Sequence, residues 1–401
     1  MKKGIVAILV LLLIVLAIYG WLTIRGKRSY DNALPQEPQL VVKLNIDQLI
    51  RKGLWYKITH PSFSTRDKSK ETIYRQDNGL SIPANIFLFT KQEDPDRIYA
   101  SLIVKDKENA VQFLKTILNI ENFEQIQGVW SGHTADKRSE VMIADDRLLI
   151  SYSTKKQLQE DGLSGLMNEL QTHSPDDELL SSIKENKGDL SVVFENLDIN
   201  ISIEGNSIRL TGQSSKLDFR PVEIPMLGQF LANNWNNDIE AMLSASSNIQ
   251  FSLKGVVQQI DTITTYEFND DFEKVAVTKL DTNIVPGMAL SLNFDSQSDS
   301  KNMIKVLGKN HLALKKKDST ILYFSNSDSI GSSPLDLNTM FRLEVDFESF
   351  SSKINRLNKV KFMNEVESLV FVVSENNNGT YIYESSLVMK ENVIGLLLDN
   401  L

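Results

Sequence analysis

Val42–Asp47 reads VKLNID, Leu290–Asp295 reads LSLNFD, and Phe341–Asp346 reads FRLEVD. Each stretch alternates apolar and polar residues and stops on an acid, and a looser copy, LSVVFE, occupies Leu190–Glu195. Alternation at period two marks a strand with one buried and one wet face. In the first copy it assigns Leu44 and Ile46 to the buried face and Lys43 and Asn45 to the wet one. The terminal acid can be read in two ways: as a repeated carboxylate for chemistry, or as a cap that starts a helix. The residues after each acid favour the cap. Asp47 opens DQLIRKGLW, where Leu49, Ile50 and Leu54 are spaced for one helical face. An aspartate there accepts from the first free backbone N–H groups.

Outward from this strand, NIFLFT (85–90) and RIYASLIVK (97–105) read as a hairpin, and Asp106 caps KENAVQFLKTIL, with Val111, Leu114 and Leu118 on one face. The C-terminal end repeats the order. FRLEV leads to Asp346 and a helix FESFSSKINRL, then strands SLVFVVS and TYIYESSLVMK, then a last helix ENVIGLLLDNL. SLIVKDKENAVQFL aligns with SLVMKENVIGLL once two residues are dropped, which reads as a diverged internal duplication of a strand-helix-strand-strand-helix unit. EVMIADDRLLISYS (140–153) reads as a further hairpin, followed by a helix with Thr154 and Gln157 at capping-box spacing. The middle, about 187–285, is rich in strands, IQFSLKG and DTITTYEF among them, and is interrupted by one helical segment, MLGQFLANNWNNDIEAML. Hairpins and short helices without regular alternation predict an α+β class of antiparallel sheets with helices.

Gly4–Ile24 is 21 residues without a charge, flanked by Lys2 and Lys3 on one side and by Arg25, Lys27 and Arg28 on the other. As a helix it would be about 31 Å long, the thickness of a bilayer's hydrocarbon core. A cleaved signal is the rival reading, but its apolar region is shorter and ends on small residues. Here the run ends on Tyr19 and Trp21, an interfacial pattern. The expectation is therefore a cytoplasmic tip and transmembrane anchor over 1–28. A stalk comes next over 29–38, then a first α+β domain over 39–186 and a second, strand-rich one over 187–401. This makes a single-pass inner-membrane protein whose large C-terminal part is extracytoplasmic and which meets the lipid bilayer through residues 4–24.

Residues 1–28 hold five of the 43 basic residues and none of the 52 acids, which leaves the remainder at −14. That balance argues against nucleic acid and predicts repulsion from an anionic surface. Zero cysteines exclude disulfides, thiolate metal sites and cysteine nucleophiles. His60, His133, His173 and His311 have no ligand spacing, and no GxSxG, Walker or GxGxxG pattern occurs. SPDDELL (174–180) reads as a helix start with Pro at N1 and acids in the first turn. NDDFE (269–273) reads as a turn and Lys315–Lys317 as a solvated turn. Asp47, Asp295 and Asp346 could share a site only if two repeated halves brought them together. No catalytic, cofactor-binding or metal-binding residue is assigned, and no cofactor.

LVVKLNIDQLIRKGLW, YASLIVKDKENAVQFL and VMIADDRLLISYS, together with the apolar N-terminus, resemble an uncharacterised family of membrane-anchored bacterial envelope proteins, a domain of unknown function. Family members are often lipoproteins, and this chain lacks the lipobox cysteine. The resemblance implies an envelope location and a repeated α+β fold. It implies no activity. The expected function is a non-enzymatic binding or scaffold module for another envelope protein or a ligand. The alternative is a hydrolase-type enzyme whose site is assembled from distant carboxylates.

Overall fold

The computed structural model describes residues 20–31, 34–60, 78–120, 123–155, 162–172, 177–194, 197–215, 246–268, 272–294, 296, 301, 303–304, 313–318, 320–328, 330, 335–349, 365–376 and 378–400. The chain forms two compact units, Met1–Ser202 with Ile394–Leu401, and Ile203–Val393.

The first unit carries β1 (Pro38–Asn45), β2 (Leu80–Ser81), β3 (Asn85–Lys91), β4 (Asp94–Val104), β5 (Phe123–Ile126), β6 (Val129–His133), β7 (Ser139–Ala144), β8 (Arg147–Ser153), β9 (Leu190–Phe194) and β10 (Leu197–Glu204). They pair antiparallel in the order β10–β9–β1–β3–β4–β8–β7–β6–β5, with β2 also against β4. Its helices are α1 (20–28), α2 (Ile46–Thr59), α3 (Lys107–Leu118), α4 (Gly162–Thr172), α5 (Asp177–Glu185) and most of α6 (Val393–Asn400). One core gathers Val41, Phe87, Phe89, Tyr99 and Leu149 under Leu163, Leu166, Met167, Leu170 and Ile183 of α4 and α5. A second gathers Val104, Val141, Ile143 and Leu148 with Ala110, Val111 and Leu114 of α3.

The second unit carries β11 (Ser207–Ser214), β12 (Ser246–Phe268), β13 (Lys274–Phe294), β14 (Ala313–Asp318), β15 (Ile321–Ser325), β16 (Thr339–Asp346), β17 (Val366–Glu375) and β18 (Tyr381–Met389). The order is β11–β18–β17–β16–β12–β13–β15–β14, and only β12 and β16 run parallel. Register stacks the apolar positions into two rows across five strands. Leu322, Leu292, Ile249, Phe341 and Val373 form one; Phe324, Leu290, Phe251, Leu343 and Phe371 form the other. The expected strand copies are thus neighbours in the ladders: β1 pairs with β9, and β13 and β16 flank β12.

This corrects the expected fold class. Strand outweighs helix 56% to 22%, and the sheet is mixed rather than antiparallel. β1–β3–β4 and β16–β17–β18 do share a pairing order, but the next strand is antiparallel β9 in one case and parallel β12 in the other. The expected helices Met226–Leu243 and, beyond Ser349, FESFSSKINRL lie outside the described residues. Expected strands IQFSLKG and DTITTYEF are a single strand, because Gly255 absorbs the break: it sits at φ 68°, in the left-handed region open to glycine, and forms a bulge between Leu253 and Val256.

The membrane reading is also corrected. Among the described residues no helix is long and apolar enough to cross a membrane. Of the expected span, 4–19 lies outside the described residues, and what is described is the short helix α1. Its Arg25 pairs with Asp47 and donates to the carbonyls of Ile82 (2.8 Å) and Pro83 (3.3 Å). A single-pass anchor in an inner membrane is therefore not supported.

Gly287 faces the bulge, and a Cβ there would stand 2.3 Å from the carbonyl oxygen of Lys254 and 2.5 Å from Ile330 Cδ1. Gly287→Ala is expected to lower stability by about 1–3 kcal/mol in urea denaturation, the range of an overpacked core. Gly379→Asn, at φ 72° with nothing within 4 Å, is expected to stay within about 0.5 kcal/mol.

Candidate functional site

The strand-end acids are engaged locally. Asp47 is not the cap of α2: Asn45 Oδ1 accepts from Gln48 N at 3.1 Å, and Asp47, inside the first turn, holds Arg25. Asp106 does cap α3, accepting from Asn109 N at 3.0 Å. Asp346 accepts from Ser349 N at 3.2 Å, and Asp295 lies outside the described residues. His60 stacks on Tyr56 with centroids 4.3 Å apart, and exposed His133 contacts the carbonyl of Thr134. His173, His311, 174–176 and 269–271 lie outside the described residues. Lys315–Lys317 belong to strand β14, not a turn, and Lys315 pairs with Asp328 at 2.5 Å. Among the described residues no group of three or more His, Asp or Glu side chains could hold a metal ion.

The buried polar groups were not foreseen. On β1 the helix-covered face carries Val41 and Lys43, while Leu44 is only half-buried, the reverse of the expected assignment. Lys43 is 3% exposed, and its ammonium donates to the carbonyls of Ile183 (2.5 Å) and Asn186 at the C-terminal end of α5. Those carbonyls and the negative end of the helix dipole hold the charge, and burial pulls its pKa from 10.5 to about 8. Around it Asn200 donates to Asn186 Oδ1 (2.7 Å) and accepts from Ser191 Oγ (3.0 Å), and Lys52 pairs with buried Asp189 at 2.5 Å. A second array places Arg97, also 3% exposed, between Glu140 and Ser151 over the Tyr99 ring. Burial pushes the Tyr99 hydroxyl up to about 12. Both arrays cross-link elements of the first unit: Lys43 ties β1 to the end of α5, Lys52 ties α2 to Asp189, and Arg97 ties β4 to β7 and β8.

The accessible chemistry is apolar. Beyond the bulge, and among the described residues, Val256–Phe268 of β12 and Lys274–Pro286 of β13 pair only with each other. The result is a two-stranded arm about 43 Å long at ~3.3 Å per residue. Cross-strand register puts Ile260, Tyr266, Phe268, Leu280 and Ile284 on one face, all at least half exposed, interleaved with Thr262, Thr264, Thr278 and Thr282. The opposite face carries the Glu267–Lys279 ion pair and Asp281 with Asn283, together with the partly exposed Ile263 and Val275. The sequence did place these residues in its strand-rich middle, about 187–285. What it did not show is that no third strand among the described residues covers them; Gly255 and the Pro286–Gly287 pair, level with each other at the arm's root, were the available signals.

No family model matches the chain, and no curated protein does. Among solved structures it is similar to crystal forms III and I of TP0453. Each is 8% identical; the matches cover 50% and 51% of this chain and 84% and 85% of that one, with TM-scores of 0.31 and 0.30. Likeness at that level carries no functional argument.

Lys43 supplies a test of the buried array. Its folded pKa is below its unfolded one, so between pH 8 and about 10 the unfolded chain binds more protons and stability rises with pH. Below about pH 8 both states are protonated and the penalty is constant. Urea denaturation of the wild type is expected to show rising stability from pH 8 to 9.5, and Lys43→Met a flatter profile over that window. Identical slopes would mean that Lys43 is not buried as described.

Proposed function

We propose that the protein is a non-enzymatic binding module that takes hold of a protein partner with the apolar face of the β12–β13 arm. The carrying observation is the arm itself: five bulky side chains on one face of a ribbon that has no third strand among the described residues. Isolated two-stranded ribbons are marginally stable in water, and contiguous exposed apolar surface marks interaction sites. A partner that covers this face would remove both costs. The free backbone edges offer a second means of attachment, by strand addition.

The arm's side chains lie outside the two apolar rows that hold the second unit's sheet together, so they can be exchanged without disturbing those rows. Tyr266→Ser/Phe268→Ser/Leu280→Ser in the full chain is expected to leave the far-UV circular dichroism and the unfolding midpoint of the folded units unchanged. It is expected to abolish partner recovery when the tagged protein is crosslinked in its native cells and purified. Recovery of the same partner at wild-type yield would overturn the reading.

A further inference from the structure

A second exposed surface lies in the first unit, on α1 and α2. On α2, Ile50, Leu54 and Ile58 recur at every fourth residue and Trp55 stands beside them, with 49%, 58%, 70% and 68% of their surfaces exposed. These residues point away from the core because the opposite face does the packing. Gly53, with the Leu398 methyls of α6 3.9 Å from its Cβ position, and Tyr56, lying against Gly395, fit the helix closely to α6. Spacing alone puts Leu49, Ile50 and Leu54 on one buried face; of the three only Leu49 is half-buried, and the other two are exposed.

α1 continues the surface. Arg25, paired with Asp47 in the first turn of α2, also lies over the Trp21 ring at 5.4 Å, and Trp21 and Ile24 are more than half exposed. Two of the chain's four tryptophans therefore stand at this surface. Charge is equally uneven. α1 and α2 together hold Arg25, Lys27, Arg28, Arg51, Lys52 and Lys57 against the single acid Asp47. With Arg25 and Lys52 in ion pairs, Lys27, Arg28, Arg51 and Lys57 remain as exposed cations around the apolar stripe, on a chain whose net charge is −9. The stretch that leads into α1, Gly4–Tyr19, has no charged residue.

We propose that the α1–α2 surface docks on an anionic lipid surface, with Trp21, Ile50, Leu54, Trp55 and Ile58 seated at the headgroup–acyl boundary and the four exposed cations against the headgroups. Aliphatic and tryptophan side chains with a fringe of Lys and Arg are the composition of an interfacial helix, and cations near such a surface add attraction that an acidic protein partner's small patch would not repeat along the whole helix. The overall acidity does not oppose this, because at physiological salt charges more than about 8 Å away are screened. This surface is independent of the arm, so either reading can fail alone.

The chain contains no cysteine, so Ile58→Cys in the full chain takes a single environment-sensitive fluorophore at a position 70% exposed. Phosphatidylcholine vesicles with an equal part of phosphatidylglycerol are expected to shift the emission to the blue and raise it several-fold, with quenching by lipids labelled near the headgroup. A probe at Asn109→Cys on α3 is expected not to change. Arg51→Gln/Lys57→Gln is expected to weaken the response, by about fivefold for each charge removed. Vesicle binding with no change at position 58 would overturn the proposal, since attachment would then lie elsewhere. A blue shift without vesicles that grows with protein concentration would overturn it too, by showing a second copy on the surface.

Discussion

The ammonium of Lys43 fixes how the first unit is assembled. β1 is bonded on both edges, to β3 and β9, so its register decides which residues meet α4 and α5. A slip of one residue would turn every side chain to the other face. It would drive Leu44 into the carbonyl end of α5 and expose Val41. A buried ammonium without acceptors is costly, and the carbonyls of Ile183 and Asn186 are available in only one register. The same strand then ends at Asn45, which caps α2, and so sets where the exposed stripe of that helix stands.

The second unit is held differently. Its specificity comes from apolar rows that cross five strands in register, with the rings of Phe341 and Phe371 6.2 Å apart. The rows end where the bulge at Gly255 and the tight approach at Gly287 turn β12 and β13 out of the sheet. Past that point nothing repeats the pattern of burial on one side. The arm's apolar residues alternate as a strand should, yet among the described residues they face no partner layer. Native proteins usually blunt such edges and faces, and the partner proposed above would cover this one.

Much of the local structure could be read from the sequence. Alternation in LSLNFD and FRLEVD located β13 and β16, and Asp106 announced α3. The errors share one cause: period and capping describe a segment's own faces, whereas the choice of face is made by what packs on it. Lys43 looked wet because lysine usually is, and only the carbonyls left over at the end of α5, some 140 residues later, make it a core residue. Ile50 and Leu54 looked buried because they are apolar, but Gly53 lets α6 come closer on the opposite side. The parallel β12–β16 pair joins strands some 90 residues apart and leaves no local mark. Of the candidate surfaces, the residues were legible as strand and helix; their exposure was not.

The most direct measurement is hydrogen exchange of the full chain without partners, resolved by mass spectrometry. In a ribbon without a third strand, alternate amides of Val256–Phe268 and Lys274–Val285 point outward to water. About half of them are expected to exchange at once, while Ile249–Leu253 and Ala289–Leu292, bonded on both edges, stay protected. Full protection along the arm would show that its edges are already covered and would contradict a free binding element.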